Sequence, residues 1–314
     1  MTTHLADKRV VITGGAGFLG RHVVTEFEKR GAEVFVPRRA DYDLTDMAAT
    51  RRLFADTRPE ILVHLAAAVG GIGANIENPG RFFYANMAMG MNIIEQSRIS
   101  GVEKLVVAGT VCSYPKFTPV PFREEDLWNG YPEETNAPYG VAKKALMVMM
   151  DAYRTQYGLN GVYLLPVNLY GPGDNFDRSS SHVIPALMRK MLEAVESGAD
   201  HIDVWGTGVA SREFLYVDDA ARAFALATER LDRPEPVNIG SGHEVTIKEL
   251  VQLLAALTGF RGEIRWDPTK PDGQPRRMLD TTRAKEWFGF EAEVPLEEGL
   301  RRTLEWWKTE GTTR

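Results

Sequence analysis

A doubly wound, parallel α/β sheet with a smaller, mostly helical C-terminal lobe is the fold class this sequence predicts. Three observations carry that expectation. Short apolar runs alternate with stretches of helical spacing through the first half of the chain, the pattern of βαβ units with right-handed crossovers. Gly14-x-x-Gly17-x-x-Gly20 stands directly between the first apolar run and the first helical stretch. After Tyr170-Gly171-Pro172-Gly173 the rhythm loosens into helices joined by loops that contain glycine and proline.

The elements follow in order. Arg9–Thr13 reads as a buried strand, and the spacing of Val23, Val24 and Phe27 predicts a helix running to Arg30. Residues 32–36 form a second strand, 45–56 a helix and 61–65 a third strand. Residues 82–97 are helical by pattern, 105–108 a fourth strand, 141–157 a long helix and 162–166 a fifth strand. Beyond them, 183–197, 218–229, 247–257 and 296–309 read as helices. The predicted division is a dinucleotide-binding domain over 1–170, to which the chain returns around 211–240. A substrate-binding lobe takes 171–210 and 241–314. No internal repeat or low-complexity segment interrupts this plan.

Composition narrows the function classes. With 37 basic residues against 43 acidic ones, the net charge of -6 argues against nucleic acid as a partner. One cysteine, Cys112, excludes an internal disulfide, and no Cys/His framework suggests a metal. The N-terminal residues lack a signal-peptide core, and no apolar stretch is long enough to span a bilayer. The expectation is a soluble, cytoplasmic protein with no membrane partner.

Three constellations carry chemistry. In the glycine fingerprint, Gly14, Gly17 and Gly20 let the backbone approach a pyrophosphate, which the following helix N-terminus at Phe18 and Leu19 stabilises. A ligand-free glycine turn is the bland alternative, disfavoured by the strand-to-helix context. The second strand ends in Arg38-Arg39 instead of a carboxylate, which favours the 2′-phosphate of NADP(H). Asp41 and Asp43 follow closely, and one of the two, with Asp43 the candidate, is expected at the adenine end. Tyr139-x-x-x-Lys143 puts both side chains on one helical face, where an ammonium would pull down a phenol pKa that is ordinarily near ~10. Thr110, at the end of the fourth strand, is placed to hydrogen-bond the same carbonyl oxygen. Cys112 and His182 by themselves read as a small buried residue and a surface histidine.

These segments resemble the extended short-chain dehydrogenase/reductase superfamily and, within it, the family of GDP-L-fucose synthases, over nearly the whole chain. The superfamily signals are the fingerprint, His64-Leu65-Ala66-Ala67, Thr110, Tyr139/Lys143 and Asn238-Ile239-Gly240. The narrower ones include Val69-Gly70-Gly71-Ile72, Cys112 with Tyr114-Pro115-Lys116, and Asn168-Leu169-Tyr170-Gly171-Pro172. Further on come Asp174-Asn175-Phe176, Ser181-His182-Val183-Ile184-Pro185, Val204-Trp205-Gly206, Arg212-Glu213-Phe214-Leu215 and Lys270-Pro271-Asp272-Gly273. The resemblance implies that Cys112 and His182 are an acid/base pair for epimerisation and that Thr110, Tyr139 and Lys143 serve reduction. It implies Ala66 and Asn168, with Tyr139 and Lys143, as cofactor contacts. Asn168, Lys190, Trp205, Arg212 and Arg277 are its substrate contacts, and a homodimer is its assembly.

Three positions depart from the family pattern. Ala16 stands where an arginine is usual, as in NAD-using epimerases. Ala68 replaces a lysine, and Thr110-Val111-Cys112-Ser113-Tyr114 replaces the usual Ser-Ser-Cys-Ile-Tyr. The expected activity is NADPH-dependent 3,5-epimerisation and 4-reduction of a GDP-4-keto-6-deoxy sugar, with NAD as the alternative cofactor. The competing readings are an NAD-retaining nucleotide-sugar epimerase, a GDP-sugar 3,5-epimerase with little reduction, and a non-catalytic NADP-binding sensor.

Overall fold

A computed structural model of the protein describes residues 3–178, 181–270 and 272–311. The first half runs β1 (Arg9–Thr13), α1 (Phe18–Lys29), β2 (Glu33–Phe35), α2 (Met47–Thr57), β3 (Ile61–His64), α3 (Ile72–Glu77), α4 (Pro79–Ile99) and β4 (Lys104–Ala108). Next come α5 (Ala137–Tyr157), β5 (Gly161–Pro166), β6 (Asn168–Tyr170), α6 (Val183–Ser197), β7 (His201–Trp205) and β8 (Ser211–Tyr216). The chain finishes with α7 (Val217–Arg230), β9 (Val237–Ile239), β10 (Glu244–Thr246), α8 (Ile247–Thr258), β11 (Glu263–Asp267), α9 (Thr282–Phe288) and α10 (Leu296–Thr309).

The central sheet has six parallel strands in the order β2-β1-β3-β4-β5-β9. Val10, Ile12, Leu62, Val106 and Leu164 are withdrawn from solvent, as strands covered by helices on both faces require. The strand order reverses between β1 and β3, so a crevice opens beyond their C-terminal ends. The helix expected from residue 141 begins four residues earlier, at Ala137. Pro138 fits its first turn, where a missing N–H costs nothing, and Tyr139 is thereby drawn inside the helix.

A second core gathers Met188 and Met191 of α6, Leu250 and Leu254 of α8, and Leu300 and Leu304 of α10. Two small sheets, β10-β8-β6 and β11-β7, join these helices, so this lobe holds more strand than periodicity predicts. Its strands are short; β7 alternates buried Ile202 and Val204 with exposed neighbours. Strand β8 serves both cores: Leu215 faces the first, while Phe214 and Tyr216 face the second, the alternation a strand imposes. The first core also takes in Phe224 of α7, Ile239 of β9, and Leu279, Ala284, Phe288 and Phe290. No helix among the described residues is long and apolar enough to cross a membrane.

Candidate active site

The crevice beyond β1 and β3 is built by the glycine fingerprint. Gly14 has φ +74°, and a Cβ on it would meet the Ala66 backbone at 2.7 Å. A Cβ on Gly20 would lie 2.0 Å from the Gly14 carbonyl oxygen, so only glycine lets α1 start this close to the loop. Gly17 caps α1 without any side-chain hydrogen bond, which leaves the amides at Phe18 and Leu19 for a ligand. Below them, Thr13 Oγ1 and His64 Nδ1 are 2.8 Å apart. Burial and the nearby Lys143 charge push the His64 pKa down to about 3. His64 is therefore a neutral tie between the ends of β1 and β3.

Past β2, Arg38 and Arg39 are exposed. Asp43 accepts from the Thr45 N–H (3.0 Å) and hydroxyl (2.8 Å) and lies 3.6 Å from Arg39. Those bonds from Thr45 hold its carboxyl below the usual range, so Asp43 is an acceptor committed first to its own turn.

At the end of β4 the chain bends into a tight turn over Val111–Ser113, begun by Thr110, whose Oγ1 accepts from the Cys112 N–H at 3.2 Å. Tyr139 is buried against this turn, with a side-chain hydrogen bond from Thr110 and Cys112 close enough to act on its charge. Gly140 explains the proximity: a Cβ there would come within 2.3 Å of the Cys112 carbonyl oxygen. Ser113 Oγ closes the same contact by donating to Gly140 O at 3.0 Å. One turn along α5, Lys143 donates to Ala108 O at 3.0 Å, and Tyr163 secures the Lys143 carbonyl at 2.7 Å. Burial moves the two groups in opposite directions. It raises the Tyr139 pKa well above that of a free phenol and lowers that of Lys143 to about 8, because desolvation disfavours the charged form of each.

His182 arrives from the other lobe. It is the N-cap residue of α6, and the inner face of that helix belongs to the second core, whereas Cys112 packs against the first. The imidazole is exposed by surface area yet crowded by neighbouring protein, and that crowding lowers its pKa. Cys112 and His182 thus stand on elements of different cores.

The remaining candidates cluster on the second lobe. Trp205 is exposed at the end of β7, with the Lys270 ammonium 5.4 Å from its ring centroid. Arg212 donates to Ser211 O (2.7 Å) and Asp272 O (2.9 Å). Burial, aided by the Arg277 charge, brings its pKa down to about 10. Arg277 itself donates to Gln274 Oε1 through Nε (3.2 Å) and Nη2 (3.1 Å). The two guanidinium groups are thus close enough for each to feel the other's charge, a chemistry that can bind an anion. Lys190 donates to Asp203 O at 2.8 Å. Asn168 donates to Glu213 O at 3.0 Å.

Glu213 received no role from sequence reasoning. Its buried carboxylate accepts from Leu279 N and Gly242 N, each at 2.7 Å, and clamps both segments to β8. Burial outweighs these donors and raises its pKa to about 7. A lone carboxylate in the otherwise apolar run of Phe214, Leu215 and Tyr216 was the available signal. Among the described residues, no group of three or more His, Cys, Asp or Glu is arranged to hold a metal ion.

A sequence model of the NAD dependent epimerase/dehydratase family matches residues 10–240. The chain is 42% identical over 307 residues to a probable GDP-L-fucose synthase 1 of Oryza sativa subsp. japonica, covering 96% of this chain and 93% of that protein. It is 40% identical over 312 residues to the GDP-L-fucose synthase of Escherichia coli strain K12, covering 96% and 97%. The solved GDP-L-fucose synthetase of Naegleria fowleri bound to NADP superposes with a TM-score of 0.90 at 27% identity, covering 100% of this chain and 97% of that one.

Proposed function

The chain belongs to the NAD dependent epimerase/dehydratase family, and we propose that it is a bifunctional NADPH-dependent 3,5-epimerase/4-reductase that converts GDP-4-keto-6-deoxy-D-mannose to GDP-L-fucose. The observation that carries this reading is the contact at Gly140, which packs the Cys112 turn against the first turn of α5. One pocket thereby holds a thiol for moving carbon-bound protons beside the hydroxyl pair of a carbonyl reductase.

We read the first core as the cofactor lobe and the second as the sugar-nucleotide lobe. The crevice fits a dinucleotide: Gly14, Gly17 and Gly20 keep it open, Phe18 and Leu19 present amides, and Ala66 and Asn168 border it. Arg38 and Arg39 are the cations for a 2′-phosphate, with Asp43 beside them. When bound, NADPH supplies the hydride for C4.

The chain's own residues do the rest. The carbonyl at C4 acidifies the C–H bonds at C3 and C5. Cys112 and His182, arriving from opposite lobes, take a proton at these carbons and return one to the other face. The depressed pKa of His182 keeps its imidazole neutral, hence basic, at pH 7. Thr110 and Tyr139 donate to O4 and hold the charge that develops there when a neighbouring carbon loses its proton. The high pKa of Tyr139 keeps the phenol protonated through this stage. It then gives that proton to O4 as C4 is reduced, and the Lys143 charge one turn away stabilises the phenolate left behind. On the second lobe, Arg212 and Arg277 take the diphosphate, Trp205 the base or ribose, and Lys190 flanks them.

We assign a homodimer to the outer faces of α4 and α5, where Tyr84, Met91, Val148 and Tyr157 stay exposed. A cytoplasmic location suits the single free thiol of Cys112. The test is NADPH absorbance on mixing with GDP-4-keto-6-deoxy-D-mannose. One equivalent of NADPH consumed, with GDP-L-fucose formed, is the expected result. Folded, NADPH-binding protein that consumes none overturns the reading.

A further inference from the structure

We propose that Gln274 is a positioning residue: it fixes the Arg277 guanidinium beside Arg212 for the diphosphate of the substrate and ties it to the loop that carries Cys112. The inference rests on the reading of the site as one for a GDP-sugar.

Residues 272–280 thread between the lobes. On one side Ser211 N donates to Pro275 O (3.0 Å) and Glu213 N to Arg277 O (3.0 Å). On the other side Phe122 N donates to Met278 O (2.8 Å) and Asp280 N to Phe122 O (2.9 Å). Gln274 is buried, although Asp272, Gly273, Pro275 and Arg276 around it are exposed. Both ends of its amide are used. Nε2 donates to Lys116 O at 2.8 Å, and Oε1 takes two N–H groups of Arg277 at 3.2 and 3.1 Å. A carbonyl only accepts and a guanidinium only donates, so chemistry fixes the orientation of this amide.

The arrangement answers an electrostatic problem. Arg212 and Arg277 repel one another, and without a ligand they would splay apart. A carboxylate between them would hold Arg277 but cancel the charge that attracts a diphosphate. A neutral amide holds the fork and leaves its charge intact. Lys116 lies four residues beyond Cys112, so the same side chain couples the anion end of the site to its acid/base end.

Isothermal titration of the full-length protein with GDP tests this, with Gln274→Met, Arg277→Met and the double variant. Gln274→Met removes all three hydrogen bonds at similar side-chain length and is expected to weaken GDP binding about tenfold. NADPH affinity should stay unchanged, and KM for the GDP-sugar should rise more than kcat falls. Because Gln274 acts through Arg277, the double variant should bind GDP no more weakly than Arg277→Met. Wild-type affinity in Gln274→Met, or effects that multiply in the double variant, would overturn the proposal. If Gln274→Met does not fold, Gln274→Glu replaces it: GDP affinity should fall while guanosine affinity holds, and unchanged GDP affinity again overturns it. A wild-type protein that binds no GDP would sink the functional reading along with the proposal. Wild-type binding with an unaffected variant sinks the proposal alone.

Discussion

Thr110, Tyr139 and Lys143 are buried, the last two on α5, whereas Cys112 is half-buried in the tight turn that Thr110 begins and His182 is exposed at the cap of α6. The difference is one of solvent. In the first group burial raises the Tyr139 pKa and lowers that of Lys143, which on the proposed mechanism keeps the phenol proton until C4 is reduced. On the proposed mechanism the second pair trades protons with its surroundings, and it is less enclosed, with His182 exposed and Cys112 half-buried.

The sharpest way to break this division is Tyr139→Phe. Reduction should fall by about a thousandfold, the range for loss of a positioned acid. Solvent deuterium should still enter at C3 and C5, because Thr110 and the acid/base pair remain. NADPH oxidation read beside NMR of the recovered sugar decides it: parallel loss of both activities collapses the two halves into one.

Cys112→Ser probes the other side. A serine hydroxyl ionises far less readily than a thiol and gives almost no conjugate base near neutral pH, so deuterium exchange should drop roughly a hundredfold, with cofactor affinity unchanged. The pH dependence carries a sign. The His182 pKa lies below the ordinary histidine value, so the basic form persists on acidification. Wild-type exchange should therefore hold level from pH 8 to about 6.5 and fall only below that. An acid limb already present at pH 7 would contradict the depressed value.

The smallest effect concerns stability. The Lys143 pKa is about 8 in the fold against 10.5 for the free side chain, so keeping its charge buried at pH 7 costs on the order of 3 kcal/mol. Wild-type stability should rise as pH climbs through that window, because the folded protein sheds this proton first. Lys143→Met should melt a few degrees higher than wild type at pH 7 without ligand, and the gap should close above pH 10.5. Cys112→Ser should leave the melting temperature nearly unchanged. A destabilised Lys143→Met would mean that its bond to Ala108 outweighs the buried charge.

Much of this was legible beforehand, for physical reasons. Strands β1, β3, β4 and β5 each carry an unbroken apolar run of at least three residues because both faces are covered, and the glycine fingerprint declares itself by spacing. The strands of the second lobe are a different case. β6 and β10 have three residues each, too few for a period to register. In the site, Tyr139 and Lys143 share a helix and could be paired on spacing. Gln274 and Lys116 lie 158 residues apart, and no local pattern announces a contact that only the packed lobes create. Glu213 stood within a recognised segment, but its partners Gly242 and Leu279 come from later turns of the chain.

The first core has a consequence for synthesis. Its sheet is opened by Arg9–Thr13, but it is completed by β9 and by Leu279, Ala284, Phe288 and Phe290. On a ribosome that delivers the chain from its N-terminus, the early strands emerge long before the residues that seal them. They must wait, apolar and exposed, while most of the polypeptide is made. Nascent chains of this protein should lean on holding chaperones until residue 290 has cleared the exit tunnel, and they should acquire protease resistance in one late step.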